Sequence, residues 1–128
     1  MEINDLQEPI QAVNSDLGKS SFVGVKLDAA RFEDVLMSGV RFEHVSMTEA
    51  RLTHMNLSGI AIDNALMSGA QIRNAGLSGA RFRDVDLAGA SVENANLSGL
   101  TISNCNITGL QIDGVLVSDA LGAYRKTA

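Results

Sequence analysis

The residues with the clearest chemical potential are two histidines and a regular series of serines. His44 and His54 lie ten positions apart. Serine recurs every twenty positions, at Ser38, Ser58, Ser78, Ser98 and Ser118. Histidine can bind a metal or accept a proton, and a serine becomes a nucleophile when a base lies within hydrogen-bonding distance. Whether either chemistry is available depends on where the backbone places these side chains.

Apolar side chains recur at every fifth position over most of the chain, as in ALMSGAQIRNAGLSGARFRDVDLAGA, residues 65–90. When the chain is written in tens from residue 21, the second and seventh positions are apolar throughout. A second, mostly smaller apolar residue stands two positions before each of them. Five steps rotate an α-helix by about 140°, and in a flat strand they lead to the opposite face. Neither structure buries the whole set.

A chain that turns a corner every five residues does bury it, because four corners close a square coil of about twenty residues. Seven corners read apolar–Ser/Thr/Ala–Gly, and glycine at the third place of a turn indicates type II geometry with positive φ. The alternate corners carry residue types that also tolerate positive φ. They are Asp34, His44, His54, Asn64, Asn74, Asp84, Asn94 and Asn104.

Stacked coils would pair as parallel strands about 4.8 Å apart, with residues twenty positions apart in columns. These columns predict the hydrophobic core. Its expected members include Phe22, Phe32, Phe42, Leu57, Met67, Leu77, Phe82, Leu87, Leu97 and Ile102.

The pattern resembles that of the pentapeptide-repeat proteins, whose consensus is Ala–Asp/Asn–Leu–X–X. The segments ENANLSG, NAGLSGARF and RDVDLAGA match it closely, and the resemblance covers residues 15–118. It implies an all-β fold, a right-handed quadrilateral parallel β-helix of about five coils. Large residues stand where the family usually has small ones, so these coils are expected to bulge or to be compensated by neighbours: Met55, Ile60, Leu100 and Leu110.

Both ends of the chain break the repeat. Residues 1–14 contain the single proline and are expected to form a partly disordered cap over the first coil. Residues 119–128 are expected to form a short capping helix and tail, N-capped by Asp119, with Leu121 and Tyr124 on one face. This helix either covers the last coil or, as the resemblance implies for some family members, joins two copies. We therefore expect a monomer or a homodimer through the C-terminal end.

In a square coil, the histidines cannot bind a metal together and the serines have no base to activate them. His44 and His54 fall on opposite sides of one coil and cannot share a metal. The serine column meets no histidine or acid before Asp119. A single cysteine, Cys105, excludes an intramolecular disulfide and a cysteine zinc cluster. We expect no catalytic residue, metal site or cofactor, and a protein that is not an enzyme.

Charge narrows the range of partners. The net charge is −5, of which residues 1–20 contribute −3 and the rest of the chain −2. A nearly balanced repeat does not favour nucleic acid binding. The absence of a signal-peptide pattern and of a long apolar run favours a cytoplasmic protein that does not enter membranes.

The sequence therefore predicts a rigid protein-interaction module whose partner is an unidentified protein. Its candidate interfaces are the flat serine column, with Ser58, Ser78 and Ser98, and the C-terminal Leu121 and Tyr124. Charged residues on the other two sides are expected to form solvated ion pairs, or else a surface that recognises a charged partner. The family resemblance also offers mimicry of DNA toward a type II topoisomerase such as gyrase, which the near-neutral repeat disfavours.

Overall fold

The computed structural model describes the backbone of residues 2–4 and 11–13, and residues 18 and 20–121 with their side chains. Thirteen short strands lie in this described part. They are β1 (Glu2–Asn4), β2 (Gln11–Val13), β3 (Ser21–Val23), β4 (Arg31–Glu33), β5 (Arg41–Glu43), β6 (Arg51–Asn56), β7 (Ala61–Leu66), β8 (Gln71–Gly76), β9 (Arg81–Asp86), β10 (Ser91–Glu93), β11 (Thr101–Ser103), β12 (Gln111–Ile112) and β13 (Val115–Leu116). Residues 117–121 are helical.

The strands form a parallel solenoid of about five turns, as the repeat predicts. Sheet 1 contains β1, β3, β5, β7, β9 and β11 in that order, and sheet 2 contains β2, β4, β6, β8, β10, β12 and β13. Pairing is parallel between successive coils, and the register is twenty residues from β3 onward, as in Phe22 with Phe42 and Phe32 with Leu52. The chain therefore passes from one sheet to the other and returns one coil further along.

The corners adopt positive φ, as their residue types predict. In one set, the N–H of the residue after the corner donates to the carbonyl three positions earlier, as from Ala80 to Leu77 at 3.0 Å. With Gly79 at φ 70°, this is the hydrogen bond and the third-place φ of a type II turn. Corner N–H groups of both sets also donate to carbonyls of the next coil, as from Gly79 to Ser98 at 2.8 Å and from Asp34 to Thr53 at 3.1 Å. Corners of both sets are thus fixed by backbone hydrogen bonds, and at Asn94 the acceptor is the Asp113 carboxylate, with Oδ1 2.8 Å from the Asn94 N.

The core is a solid column of apolar side chains inside the coils. Eight of the ten predicted core residues are buried: Phe22, Phe32, Phe42, Leu57, Met67, Leu77, Phe82 and Leu87. The rings of Phe22 and Phe42 stack with their centroids 4.9 Å apart. Large residues at small positions are compensated by their neighbours, since Met55 is buried and pairs in register with Ala75.

The N-terminal segment differs from the predicted cap. Strands β1 and β2 continue sheets 1 and 2 in parallel, pairing Ile3 with Phe22 and Ala12 with Phe32. The parallel register of both sheets therefore continues into this segment. The pairing of β1 is offset by nineteen residues, which hides this strand from a search for a twenty-residue period, whereas β2 pairs at an offset of twenty. The other residues of 1–14 lie outside the described part of the chain.

The predicted short C-terminal helix is present, but the last coil stops before residue 118, where the repeat was expected to end. Strands β12 and β13 form an antiparallel hairpin, with Asp113 and Gly114 both at positive φ between them. An Asp-Gly pair favours this two-residue turn. The helical residues begin at 117, ahead of Asp119. Because the chain turns back here, Leu97 and Ile102 are only half-buried.

Truncating Phe42, one of the two stacked rings, tests how much the core contributes to stability. We expect Phe42→Ala to lower the free energy of unfolding by about 3–5 kcal/mol, since it leaves a cavity beside Phe22. Phe42→Leu keeps most of the volume and should cost about 1 kcal/mol. Urea denaturation followed by circular dichroism measures both. Equal, small losses in the two variants would contradict a ring packed at the centre of the solenoid.

Alanine substitutions at Gly76 and Gly79 distinguish the cost of positive φ from the cost of steric crowding. A Cβ on Gly79 would meet no atom within 4 Å, but φ there is +70°. Gly79→Ala should therefore cost about 1 kcal/mol through φ alone. Gly76 lies in β8 without positive φ, and a Cβ there would lie 3.7 Å from the Ser58 Oγ, an ordinary contact. Gly76→Ala should be neutral or stabilise by about 0.5 kcal/mol, and the reverse order of the two stabilities would contradict the turn assignment.

Candidate protein-interaction surfaces

The outer faces of the two sheets carry the charged residues. Alternation along a strand turns the residue before and the residue after each core position outward. On sheet 1, Arg41 pairs with Glu43 at 2.6 Å and Arg83 Nε lies 3.1 Å from Asp63 Oδ1. On sheet 2, Arg31 pairs with Glu33, and Arg73 Nε lies 3.6 Å from Glu93 Oε2. Most of the arginine charge is therefore neutralised locally, as expected for solvated ion pairs.

Two exposed arginine side chains make no ion pair or hydrogen bond within residues 20–121: Arg51 on sheet 2 and Arg81 on sheet 1. Their surroundings differ. Arg51 lies in register between Arg31 and Gln71, so one of its neighbours has the same charge. Arg81 lies in register between Ala61 and Thr101, which are uncharged. Arg51 was not among the predicted site residues, although the twenty-residue spacing of Arg31 and Arg51 already indicates stacked like charges.

A groove of about 370 Å³ surrounds Arg51 on the outer face of sheet 2. We call it the sheet 2 groove. Its seven lining residues are all exposed or half-exposed, which makes it an open depression and not an enclosed cleft. They are Arg31, Glu33, Arg51, Thr53, His54, Gln71 and Arg73. The groove thus presents three guanidinium groups and one carboxylate together with neutral hydrogen-bonding groups.

The two histidines are separated as the square coil predicts. His44 follows β5 of sheet 1, where its Nε2 lies 3.8 Å from Glu43 Oε1, whereas His54 belongs to β6 of sheet 2 and lines the groove. Among the described residues, no three His, Cys, Asp or Glu side chains are grouped so that they could hold a metal ion. The same part of the chain contains no helix long and apolar enough to cross a membrane.

The serine column forms a flat, uncharged face beside sheet 2. The serine carbonyls accept hydrogen bonds from the glycine N–H groups of the preceding coil, as from Gly59 to Ser78 at 2.9 Å and from Gly79 to Ser98 at 2.8 Å. The N–H of Ser58 donates to Asn56 Oδ1 at 3.1 Å. Within residues 20–121 no histidine or carboxylate hydrogen-bonds to the hydroxyls of Ser58, Ser78 or Ser98. The column is therefore a structural ladder without an activated nucleophile.

The C-terminal end leaves apolar groups in contact with solvent. Val115 is 54% exposed and Leu121 is 38% exposed. Several residues of the last two coils pack on the core while remaining half-buried, including Val92, Leu97, Ile102, Ile107 and Val117. The Cys105 thiol is half-buried among them and donates to the Ser103 carbonyl at 3.2 Å. Tyr124, the other predicted interface residue, lies outside the described residues.

Comparison with known proteins identifies the family. The sequence profile described as pentapeptide repeats matches residues 26–61, 56–87 and 80–119, with eight copies. These matches cover most of the chain, so the protein belongs to the pentapeptide-repeat family. A comparison with curated proteins gave no match.

The solved structures that align with this chain include two pentapeptide-repeat proteins, Rfr23 and HetL. Rfr23 from the cyanobacterium Cyanothece 51142 aligns with a TM-score of 0.56 and 17% identity, over 88% of this chain and 84% of that one. HetL, involved in heterocyst differentiation regulation in Nostoc sp. strain PCC 7120, aligns with a TM-score of 0.43 and 20% identity, over 83% and 61%. QnrB1, a plasmid-mediated fluoroquinolone resistance protein, gives 0.26 and 14%, over 97% and 100%. The likeness to Rfr23 supports the fold and, at 17% identity, says nothing about function.

Proposed function

We propose that this pentapeptide-repeat protein is a non-enzymatic interaction module of the cytoplasm, a rigid rod that presents preformed faces to a protein partner. The observation that carries the proposal is the hydrogen-bonded backbone under every face. Each coil is bonded to the next at its corners and along its strands, as from Arg51 N to the Ala30 carbonyl at 2.9 Å. Side chains held at fixed intervals lose little freedom on binding, which favours association.

The character of the surface supports binding over catalysis. The sheet 2 groove is open, so water would surround any bound group, whereas enzymes enclose the reacting atoms to strengthen electrostatic interactions. A general base must lie within hydrogen-bonding reach of the group that it activates. Among the described residues, the Ser46 hydroxyl donates to Asp28 Oδ1, which also accepts from the Thr48 N–H, so this carboxylate links two coils as part of their hydrogen bonding.

DNA mimicry toward gyrase finds little support in the charge distribution. A mimic needs a continuous acidic face, but each sheet face carries three arginines between its acids: Arg31, Arg51 and Arg73 on sheet 2, and Arg41, Arg81 and Arg83 on sheet 1. A polyanion-binding surface on a topoisomerase would be repelled by these guanidinium groups. We expect the full chain to leave gyrase supercoiling unchanged at micromolar excess, and concentration-dependent inhibition would instead support DNA mimicry with gyrase as the partner.

For self-association, we propose a contact between the C-terminal ends of two copies. Val115 and Leu121 are exposed beside half-buried core residues, so a second copy could remove this apolar surface from water.

The mass in solution tests the contact between ends. Analytical ultracentrifugation should give twice the chain mass for the unaltered protein and a single chain mass for Leu121→Asp. Leu66→Asp is the matched control, because Leu66 is 53% exposed on a side of the solenoid away from this end. A single chain mass for the unaltered protein would contradict the contact.

Affinity capture with the intact chain tests the module itself. Three baits each alter one face: Arg81→Glu on sheet 1, Arg51→Glu on sheet 2 and Ser78→Arg on the serine column. We expect a stoichiometric protein partner from the soluble lysate of the source cells, retained by two baits and lost by the third. A partner that contacts one face of a rigid rod should be sensitive to that face alone.

The heat-unfolded chain serves as the control for non-specific adsorption. Failure to retain any stoichiometric partner, or equal retention by the unfolded chain and all three variants, would contradict the proposed function.

A further inference from the structure

We propose that the sheet 2 groove binds a carboxylate from an acidic segment of the protein partner, with Arg51 as the central contact. This inference rests on the proposed function and assigns that function to one surface. The Arg51 guanidinium is exposed and makes no ion pair or hydrogen bond within residues 20–121, whereas the other two groove arginines, Arg31 and Arg73, are paired with Glu33 and Glu93.

The position of Arg51 makes an added anion favourable. Arg31 and Arg51 are register partners on adjacent parallel strands, so their Cα atoms lie about 4.8 Å apart. Like charges placed opposite each other on a sheet repel. An anion between or beside the two guanidinium groups would add two attractive interactions that offset this repulsion. Because Glu33 already binds Arg31, the free guanidinium of Arg51 offers the stronger attachment point.

The other lining residues suit one oxyanion and not a long polyanion. Thr53, His54 and Gln71 surround Arg51 with groups able to donate hydrogen bonds. A guanidinium binds a carboxylate or a phosphate through two parallel hydrogen bonds. Glu33 in the groove and Glu93 beside Arg73 place negative charge on both sides of this centre. An extended nucleic acid would meet both carboxylates and a chain of net charge −5.

A carboxylate on a protein segment avoids this repulsion. A single Asp or Glu side chain brings one charge to Arg51, and its uncharged neighbours can lie along the open groove. The volume of about 370 Å³ is near the lower end of the range for ligand-binding pockets, so it admits a side chain with adjoining backbone.

Arg81 provides a matched control on the other sheet. It is also the first residue of its strand and exposed, and its guanidinium makes no ion pair or hydrogen bond in the described part of the chain. However, its register partners are Ala61 and Thr101, and it does not line the groove. Removing either charge changes the net charge equally, so a difference between the two variants reports the site and not the overall field.

The experiment is a titration of the ¹⁵N-labelled full chain, followed by NMR at low ionic strength. The probes are a six-residue peptide of alternating glutamate and glycine, its glutamine counterpart, and inorganic phosphate. We expect the glutamate peptide to shift the amides of 51–54 and 71–73 saturably, and the glutamine peptide to leave them unchanged. Arg51→Gln should weaken peptide binding about tenfold, Arg51→Lys less, and Arg81→Gln less than twofold.

Several results would overturn the assignment. Equal weakening by Arg51→Gln and Arg81→Gln would show general attraction without a site. Tighter binding of phosphate than of the glutamate peptide would make the groove a phosphate site, and no saturable shift would remove it altogether. In the capture experiment, a partner lost from Ser78→Arg but kept by Arg51→Glu would leave the interaction module intact and reject this groove. Unchanged amide dispersion in each variant verifies that it is folded.

Discussion

A corner with positive φ at every fifth residue is the constraint on which the whole molecule depends. From residue 24 to residue 109 the corner residues lie between φ 52° and 74°. An L-residue in this region costs roughly 1–2 kcal/mol, which glycine avoids and asparagine or aspartate reduces. The corners persist because their N–H groups find acceptors in the next coil and because each turn delivers the following apolar residue to the core. Local strain and burial are thus coupled within each quintet.

This coupling explains why most of the fold could be predicted from the sequence. The residue types at the corners and the apolar residues between them carry the same period, so each pattern confirms the other. Ala29 and Glu49 show how far the backbone can tolerate exceptions, since both adopt positive φ at places where most coils have glycine. Two exceptions among nine such corners leave the period visible. The four large residues at small positions are tolerated for a similar reason, because neighbours such as Ala75 make room.

The short C-terminal helix was predicted correctly, but the N-terminal strands and the end of the last coil were not, because the period does not govern them. At the N-terminus, β1 pairs with β3 at an offset of nineteen residues, and a single missing residue conceals the relation between Ile3 and Phe22. At the C-terminus, Val115 and Val117 continue the apolar pattern, which made the repeat seem to run to residue 118. The Asp113–Gly114 pair was the contrary local signal, and its turn chemistry prevailed over the periodicity.

The same stacking that orders the core also determines the surface. Residues twenty positions apart lie one coil spacing from each other, so the sequence fixes which charges are neighbours. Opposite charges in adjacent positions, such as Asp63 and Arg83, neutralise each other. Arg31 and Arg51 are alike, and the resulting excess of positive charge arises within a protein that is acidic as a whole. The groove could have been found in the sequence from this column, but the ion pairs that leave Arg51 free required the structure.

Backbone NOEs in the folded protein test the central claim most directly. If the chain closes one circuit every twenty residues, inter-strand contacts between amide and α protons should join residues twenty positions apart on both sheets, including Ile62 with Phe82 and Leu52 with Ile72. Contacts at this separation should recur along the repeat from coil to coil. Helical contacts between residues three or four apart, or contacts typical of antiparallel hairpins throughout residues 21–110, would contradict the account.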